Sequence, residues 1–144
     1  MLINSIIKTI DSFASDLSIR SLLLRIILSL VIATIIGCER ATKRHAAGVR
    51  TFVIVSLAST FAMIIDCYIA SKNANYIYLL SAASIIAVVT LSVNCILYSS
   101  RNQIKGLTTS AALWGSGVLG LTAGAGLFAL TIIGFLLLII NLSW

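Results

Sequence analysis

Residues 21–37 read SLLLRIILSLVIATIIG, seventeen consecutive positions with one charge, Arg25. A helix that crosses a bilayer needs about 20 mostly apolar residues, because each backbone N–H and C=O must find its partner within the segment. With its flanks this stretch meets the need, and it sets how the rest of the chain is read. Arg25 lies one turn inside and is expected to snorkel to the nearby interface. Outward from there the pattern recurs. Residues 49–70 form a second apolar stretch, interrupted by Asp66 near its far end. A polar turn, SKNAN at 71–75, leads to a third stretch at 76–98, framed by Tyr76 and Tyr98, whose amphipathic rings favour the two interfaces. After a break at 99–105, residues 106–124 are rich in Gly, Ala, Ser and Thr, and residues 125–144 in Leu and Ile. These read as a fourth, small-residue helix and a fifth, lipid-facing one. On the N-terminal side, Ile6, Ile7, Ile10, Phe13 and Leu17 fall at helical spacing, which predicts a helix lying flat on the membrane.

Composition agrees. The apolar fraction is 60% and the charged fraction 10%, with mean hydropathy +1.12. Soluble domains run at about 45–50% apolar and 25% charged, and a chain with so few charges could not cover its own surface in water. The expected fold is an all-α membrane protein, a single-domain bundle of about five transmembrane helices with an N-terminal interfacial helix. The net charge of +6 does not point to nucleic acid, since the bases sit between apolar runs where membrane topology places them. Cys38, Cys67 and Cys95 are odd in number and share no CxxC spacing. They are expected to be ordinary buried small residues.

Orientation follows from the bases. Arg40, Lys43, Arg44 and Arg50 lie between the first and second stretches, and Arg101 and Lys105 between the third and fourth. Lys8, Arg20, Arg25 and Lys72 fall on the opposite side. The positive-inside rule then predicts cytoplasmic loops at 38–50 and 99–106.

Few residues could carry chemistry. In the first basic loop Glu39 stands among Arg40, Lys43, Arg44 and Arg50. It could pair with Lys43 at i,i+4, or turn toward Arg40 or Arg50. The segment is either a topology anchor touching anionic headgroups or a shaped polar site built on Glu39 and Arg50. His45 reads as solvated loop. Thr108 and Thr109 sit where a helix could start and where either could cap it. Beyond them Ala112, Ser116, Gly120 and Gly124 recur every four residues, a stripe that lets another helix approach closely. Helix packing is the favoured reading of the stripe, and a substrate path the other. Asp66 reads as a wetted interfacial residue, and Asn94 as inter-helix glue. No hydrolase elbow, P-loop, HExxH or paired carboxylate is present. Four acids, scattered, are a poor basis for acid–base chemistry, so an enzyme is not expected, nor is a metal or other cofactor.

Two segments together resemble a known family. Gly37-Cys-Glu-Arg40 followed by Ala47-Gly-Val-Arg-Thr51 is similar to the GLER…AGLRT signature of the MgtC/SapB membrane proteins. Lys105-Gly-Leu-Thr-Thr-Ser-Ala-Ala-Leu-Trp114 resembles their RGLTTAASLW signature, and Gly120 to Gly126 (GLTAGAG) their GLAxGxG ending. The resemblance covers about residues 22–140. Family members carry a glycine-rich stretch before the second motif, where this chain reads VVTLSVNC at 88–95. The resemblance implies a bacterial inner-membrane protein linked to growth at low magnesium and, in pathogens, to virulence and intracellular survival. It singles out Glu39, Arg40, Arg50, Thr51, Lys105, Gly106, Thr108, Thr109, Trp114, Gly120 and Gly124, to which the reading of the spans adds Asn94. Many relatives have a soluble domain after the last helix; this chain is expected to be the transmembrane domain alone, without a soluble C-terminal domain. The expected function is a non-enzymatic regulator of membrane energetics or an ATPase, working by helix contact. Expected partners are the lipid bilayer, another membrane protein or complex such as an ATPase, or a second copy. The alternative is a small magnesium or proton transporter acting as an oligomer.

Overall fold

The computed structural model describes residues 18–42, 47–98 and 104–143. The expected interfacial helix at 6–17, His45 and Arg101 lie outside them. Within them are five helices: α1 (Ile19–Thr42), α2 (Val49–Lys72), α3 (Leu79–Val93), α4 (Leu107–Gly124) and α5 (Phe128–Ser143). Between α3 and α4 a two-residue antiparallel ladder pairs β1 (Leu97–Tyr98) with β2 (Ile104–Lys105), Leu97 opposite Lys105 and Tyr98 opposite Ile104. The all-α bundle read from the sequence is therefore observed. α1 and α2, 24 residues each, are long and apolar enough to cross a membrane.

Element ends differ from the expectation. The first basic loop is shorter, because α1 runs on through Glu39 and Arg40 to Thr42. The third stretch yields a helix of only 15 residues, not the 23 that its tyrosines frame. Its start is fixed by a partner elsewhere in the chain: Tyr78, at the N-cap, makes no side-chain cap, and Asp66 of α2 supplies the missing acceptor.

α1, α2 and α4 form the centre, with α3 against α2 and α4, and α5 against α4 and α1. In hydrocarbon no hydrophobic force presses helices together, so close backbone approach and polar contacts do the work. Glycines provide the approach. A Cβ on Gly120 would run into the Ser56 carbonyl, and one on Gly124 would lie 2.7 Å from the Thr60 carbonyl. Both pairs advance by four residues in the same direction, so α2 and α4 run parallel. α1 lies against both, placing Ile32, Ala33 and Ile36 in the same core as Phe52, Val55, Ala112, Leu113 and Leu119. The glycine that lets α3 approach is on α4: Gly117 faces Val88, whose methyls would lie 3.1 Å from an added Cβ. The outer helices bury little, only Ser81, Val88 and Ser92 on α3 and Thr131 on α5.

One end of the bundle holds Arg40, Arg50, Gly106 and Leu142, and is called here the basic end. The opposite end holds Arg25, Asp66, Tyr76 and the α4–α5 turn.

Candidate functional site

Near mid-length of α1, α2 and α4 lies a cluster of buried hydroxyls. Ser29 Oγ and Ser56 Oγ are 2.9 Å apart. Thr60 Oγ1 is 2.7 Å from Ser29 Oγ, 2.8 Å from the Ser56 carbonyl and 3.0 Å from the Gly120 carbonyl. A hydroxyl has one proton to donate and two lone pairs to accept with, so these oxygens share a few protons among them. Ser59 and Ser116 are also fully buried, and their hydroxyls lack a hydrogen-bond partner among the described residues. The cluster knits three helices through the same contacts that the glycines make possible.

The charges lie above and below it, each tied to a helix end. α4 closes in a Schellman motif: Leu127 N–H donates to the Thr122 carbonyl (3.1 Å) and Gly126 N–H to Ala123 (3.0 Å), with Gly126 at φ 83°. That leaves the Gly124 carbonyl, which accepts from Arg25 Nη1 at 2.8 Å. Arg25 is 2% exposed, so it does not snorkel; it turns inward to the negative end of the α4 dipole. Asp66, near the end of α2, is 0% exposed and so is not wetted as expected. Its carboxylate accepts from Tyr76 Oη (2.8 Å), Leu80 N (3.3 Å) and Ser81 N (2.7 Å). It thereby caps the positive end of α3 from a different helix. The same bond holds the Tyr76 phenol above its ordinary pKa, because an ionised phenolate could not donate to a carboxylate. At the basic end Arg40, buried, donates from Nη2 to the Leu142 carbonyl of α5 (3.0 Å), and its Nε lies 3.1 Å from Glu39 Oε2.

The residues singled out in the sequence do not converge on one cavity. Glu39 and Arg40 pair; Arg50 and Thr51 are exposed on the first turn of α2. Asn94 is not inter-helix glue: it is exposed and donates to Thr90 of its own helix at 3.3 Å. Neither Thr108 nor Thr109 caps α4, since Gly106 takes the N-cap position with no side-chain bond; Thr108 is exposed and Thr109 buried. Gly106 stands at φ 90°, and a Cβ there would collide with the Cys95 carbonyl. Lys105 contributes its backbone to β2. Trp114 is 48% exposed, beside α3. Gly120 and Gly124 pack on α2, so the small-residue stripe is occupied within the chain. The cysteines differ from expectation too: Cys38 is exposed, and Cys67 and Cys95 half-buried. Sequence reasoning passed over Ser21 and Ser29, both buried on the same face of α1 as Arg25. Their spacing of four in an apolar helix was the available signal, and Ser56 and Thr60 repeat it on α2. Among the described residues no group of three His, Cys, Asp or Glu side chains could hold a metal.

Two membrane-length helices, with polar groups turned inward and charges tied to helix ends, define a membrane-embedded α-helical bundle. The chain belongs to the MgtC family, whose model matches residues 26–144, as its two motifs suggested. It is 30% identical to SapB of Bacillus subtilis over 129 residues, 85% of this chain and 56% of that one. It is 31% identical over 126 residues to YhiD of Escherichia coli K12, whose name proposes magnesium transport, covering 84% of this chain and 59% of YhiD. SrpB of Synechococcus elongatus is 30% identical over 132 residues, 83% of this chain and 71% of SrpB. The chain thus spans a little over half the length of SapB and YhiD. No solved structure matches it.

Proposed function

We propose that this chain is a non-enzymatic regulatory element of a bacterial inner membrane, acting by contact with another membrane protein or complex in a system responding to magnesium limitation. A membrane ATPase is the partner class in view, and virulence or intracellular survival the setting where that system operates in a pathogen. One observation carries the reading. Arg25, Arg40 and Asp66 all bond to helix ends inside the bundle, whereas α3 and α5 leave more than half of their residues exposed. An ionisable group in a membrane span is ordinarily a candidate for a transport path; here each has a structural partner. Contact is assigned to the outer helices, because the Gly120–Gly124 face is already filled by α2. The reading takes all five helices as crossing the membrane, with the basic loops at 38–50 and 99–106 in the cytoplasm. Purification in mild detergent from magnesium-limited cells tests it: a stoichiometric membrane partner is expected, and recovery of this chain alone under both magnesium-replete and limited growth would overturn it.

A second reading, a small magnesium or proton transporter working as an oligomer, is favoured by the mid-depth hydroxyl cluster of Ser29, Ser56 and Thr60 and by the name that YhiD carries. Proteoliposomes separate the two. Magnesium or proton flux above that of empty vesicles, lost in Thr60→Val, supports transport; flux equal to empty vesicles removes it.

A further inference from the structure

The two sides of the bundle differ in height. α1 and α2 pack side by side with α4 against both; α3 lies against α2 and α4, and α5 against α4 and α1. α3, α4 and α5 therefore share one side, and α1 and α2 form the other. On the α1–α2 side the outward charges stand far apart. The exposed Arg50 and Lys72 bound α2 at about 33 Å, and Arg20 and Glu39 bound α1 at about 28 Å. Both heights match the roughly 30 Å of a bilayer's hydrocarbon core. The other side is shorter. α3 has 15 residues and α5 16, about 22 and 24 Å. Buried charges fix where these helices stop. Arg25 holds the Gly124 carbonyl, just before α5 begins, and Arg40 holds the Leu142 carbonyl at its far end. Along α1 these two arginines are about 22 Å apart. Asp66 likewise caps α3 about 9 Å short of Lys72 on α2. A span shorter than the hydrocarbon is accommodated by snorkelling side chains, by association with other helices or by thinning of the bilayer. α3, α4 and α5 contain no lysine or arginine, so none of their side chains can snorkel. α5 turns Leu130, Ile133, Leu136 and Leu137 outward. These branched side chains hold a second helix off, whereas association in hydrocarbon relies on small residues.

We propose that the bundle thins the bilayer on its α5 side alone and gathers phospholipids with short acyl chains there. The proposal rests on the reading that all five helices cross the membrane. Tryptophan quenching compares the two sides. The chain has two tryptophans, and Trp114→Phe with Trp144→Phe removes both. Leu136→Trp then places a reporter on α5, and Phe61→Trp places one on α2; both positions are about half exposed. Each full-length chain is reconstituted in brominated dioleoylphosphatidylcholine. Unbrominated dimyristoleoyl-, dioleoyl- or dierucoylphosphatidylcholine, in order of rising chain length, then competes with the quencher. At the α5 reporter the shortest lipid is expected to compete better than the longest by about threefold, the modest scale of mismatch. At the α2 reporter the shortest should hold no advantage. The same order at both reporters, or no preference for short chains at α5, would overturn the proposal. An α5 reporter that brominated lipid fails to quench would also overturn it, since protein would then cover that side. Crossing is read separately. In a chain with Cys38, Cys67 and Cys95 changed to alanine, Leu127→Cys and Asn141→Cys should react with an impermeant maleimide from opposite sides. Labelling from one side would strike the crossing reading and this proposal with it, whereas opposite sides with the wrong lipid order would strike this proposal alone.

Discussion

At position 120 an added methyl group meets main chain, and at position 115 it meets a side-chain tip. Gly120 faces the Ser56 carbonyl, which belongs to a helix and cannot yield, while Gly115 faces only Leu138 Cδ1. Gly120→Ala should therefore cost about 1–3 kcal/mol, the ordinary penalty of overpacking. Gly115→Ala should be neutral or stabilising by up to about 1 kcal/mol, since Leu138 can rotate away and alanine is the better helix former. Unfolding equilibria in mixed micelles compare the two, and equal effects would contradict the parallel seating of α4 on α2. Asp66 poses a different question, because three donors depend on one carboxylate. Asp66→Ala leaves two backbone N–H groups and a phenol without their acceptor, a loss of about 1–3 kcal/mol or more. Asp66→Asn keeps an amide oxygen and should recover part of it. Hydrogen exchange at Leu80 and Ser81 reads this directly: faster in Ala than in Asn, and slowest in the parent.

At the scale of elements, the connection between α3 and α4 depends on Gly106. Its φ of 90° places it in the left-handed region, and the Cys95 carbonyl leaves no room for a side chain. Gly106→Ala should loosen the β1–β2 ladder and with it the packing of α3 on α4. Disulfide crosslinking of paired cysteines at Val88 and Gly117, which face each other, is expected to drop, while crosslinking between Ser29 and Ser56 persists. The existence of the five helices was legible in the sequence because hydrocarbon imposes long apolar runs. Their ends were not. The tyrosines framing 76–98 predicted a helix longer than the one that forms, since what starts α3 is a carboxylate thirteen residues before its first turn. The small-residue stripe on α4 was readable from its spacing of four. Its partner was not, since pairing Gly120 with Ser56 joins helices 64 positions apart, and no local pattern encodes that. Arg25 shows the same limit: its distance from the helix end suggested snorkelling, but the carbonyl it binds is 99 residues away.

At the scale of the whole molecule, the ends of the bundle differ in charge and in what they expose, and this makes its orientation measurable. Of the ten bases, six fall in sequence within or beside the connections from α1 to α2 and from α3 to α4, Arg40, Lys43, Arg44, Arg50, Arg101 and Lys105, and four elsewhere in the sequence. The positive-inside rule counts such short connections. It places Cys38, exposed near the end of α1, on the cytoplasmic side, and Asn75, exposed in the turn between α2 and α3, on the other. A chain carrying Cys67→Ala and Cys95→Ala keeps Cys38 as its single thiol; adding Cys38→Ala and Asn75→Cys moves that thiol to the opposite face. In intact spheroplasts a membrane-impermeant maleimide should label the Asn75→Cys chain and spare the Cys38 chain, and lysis should expose both. The reverse pattern would invert the bundle. Because α2 and α4 run parallel, inversion would carry outward together the two helix starts, at Val49 and Leu107, that follow the basic connections.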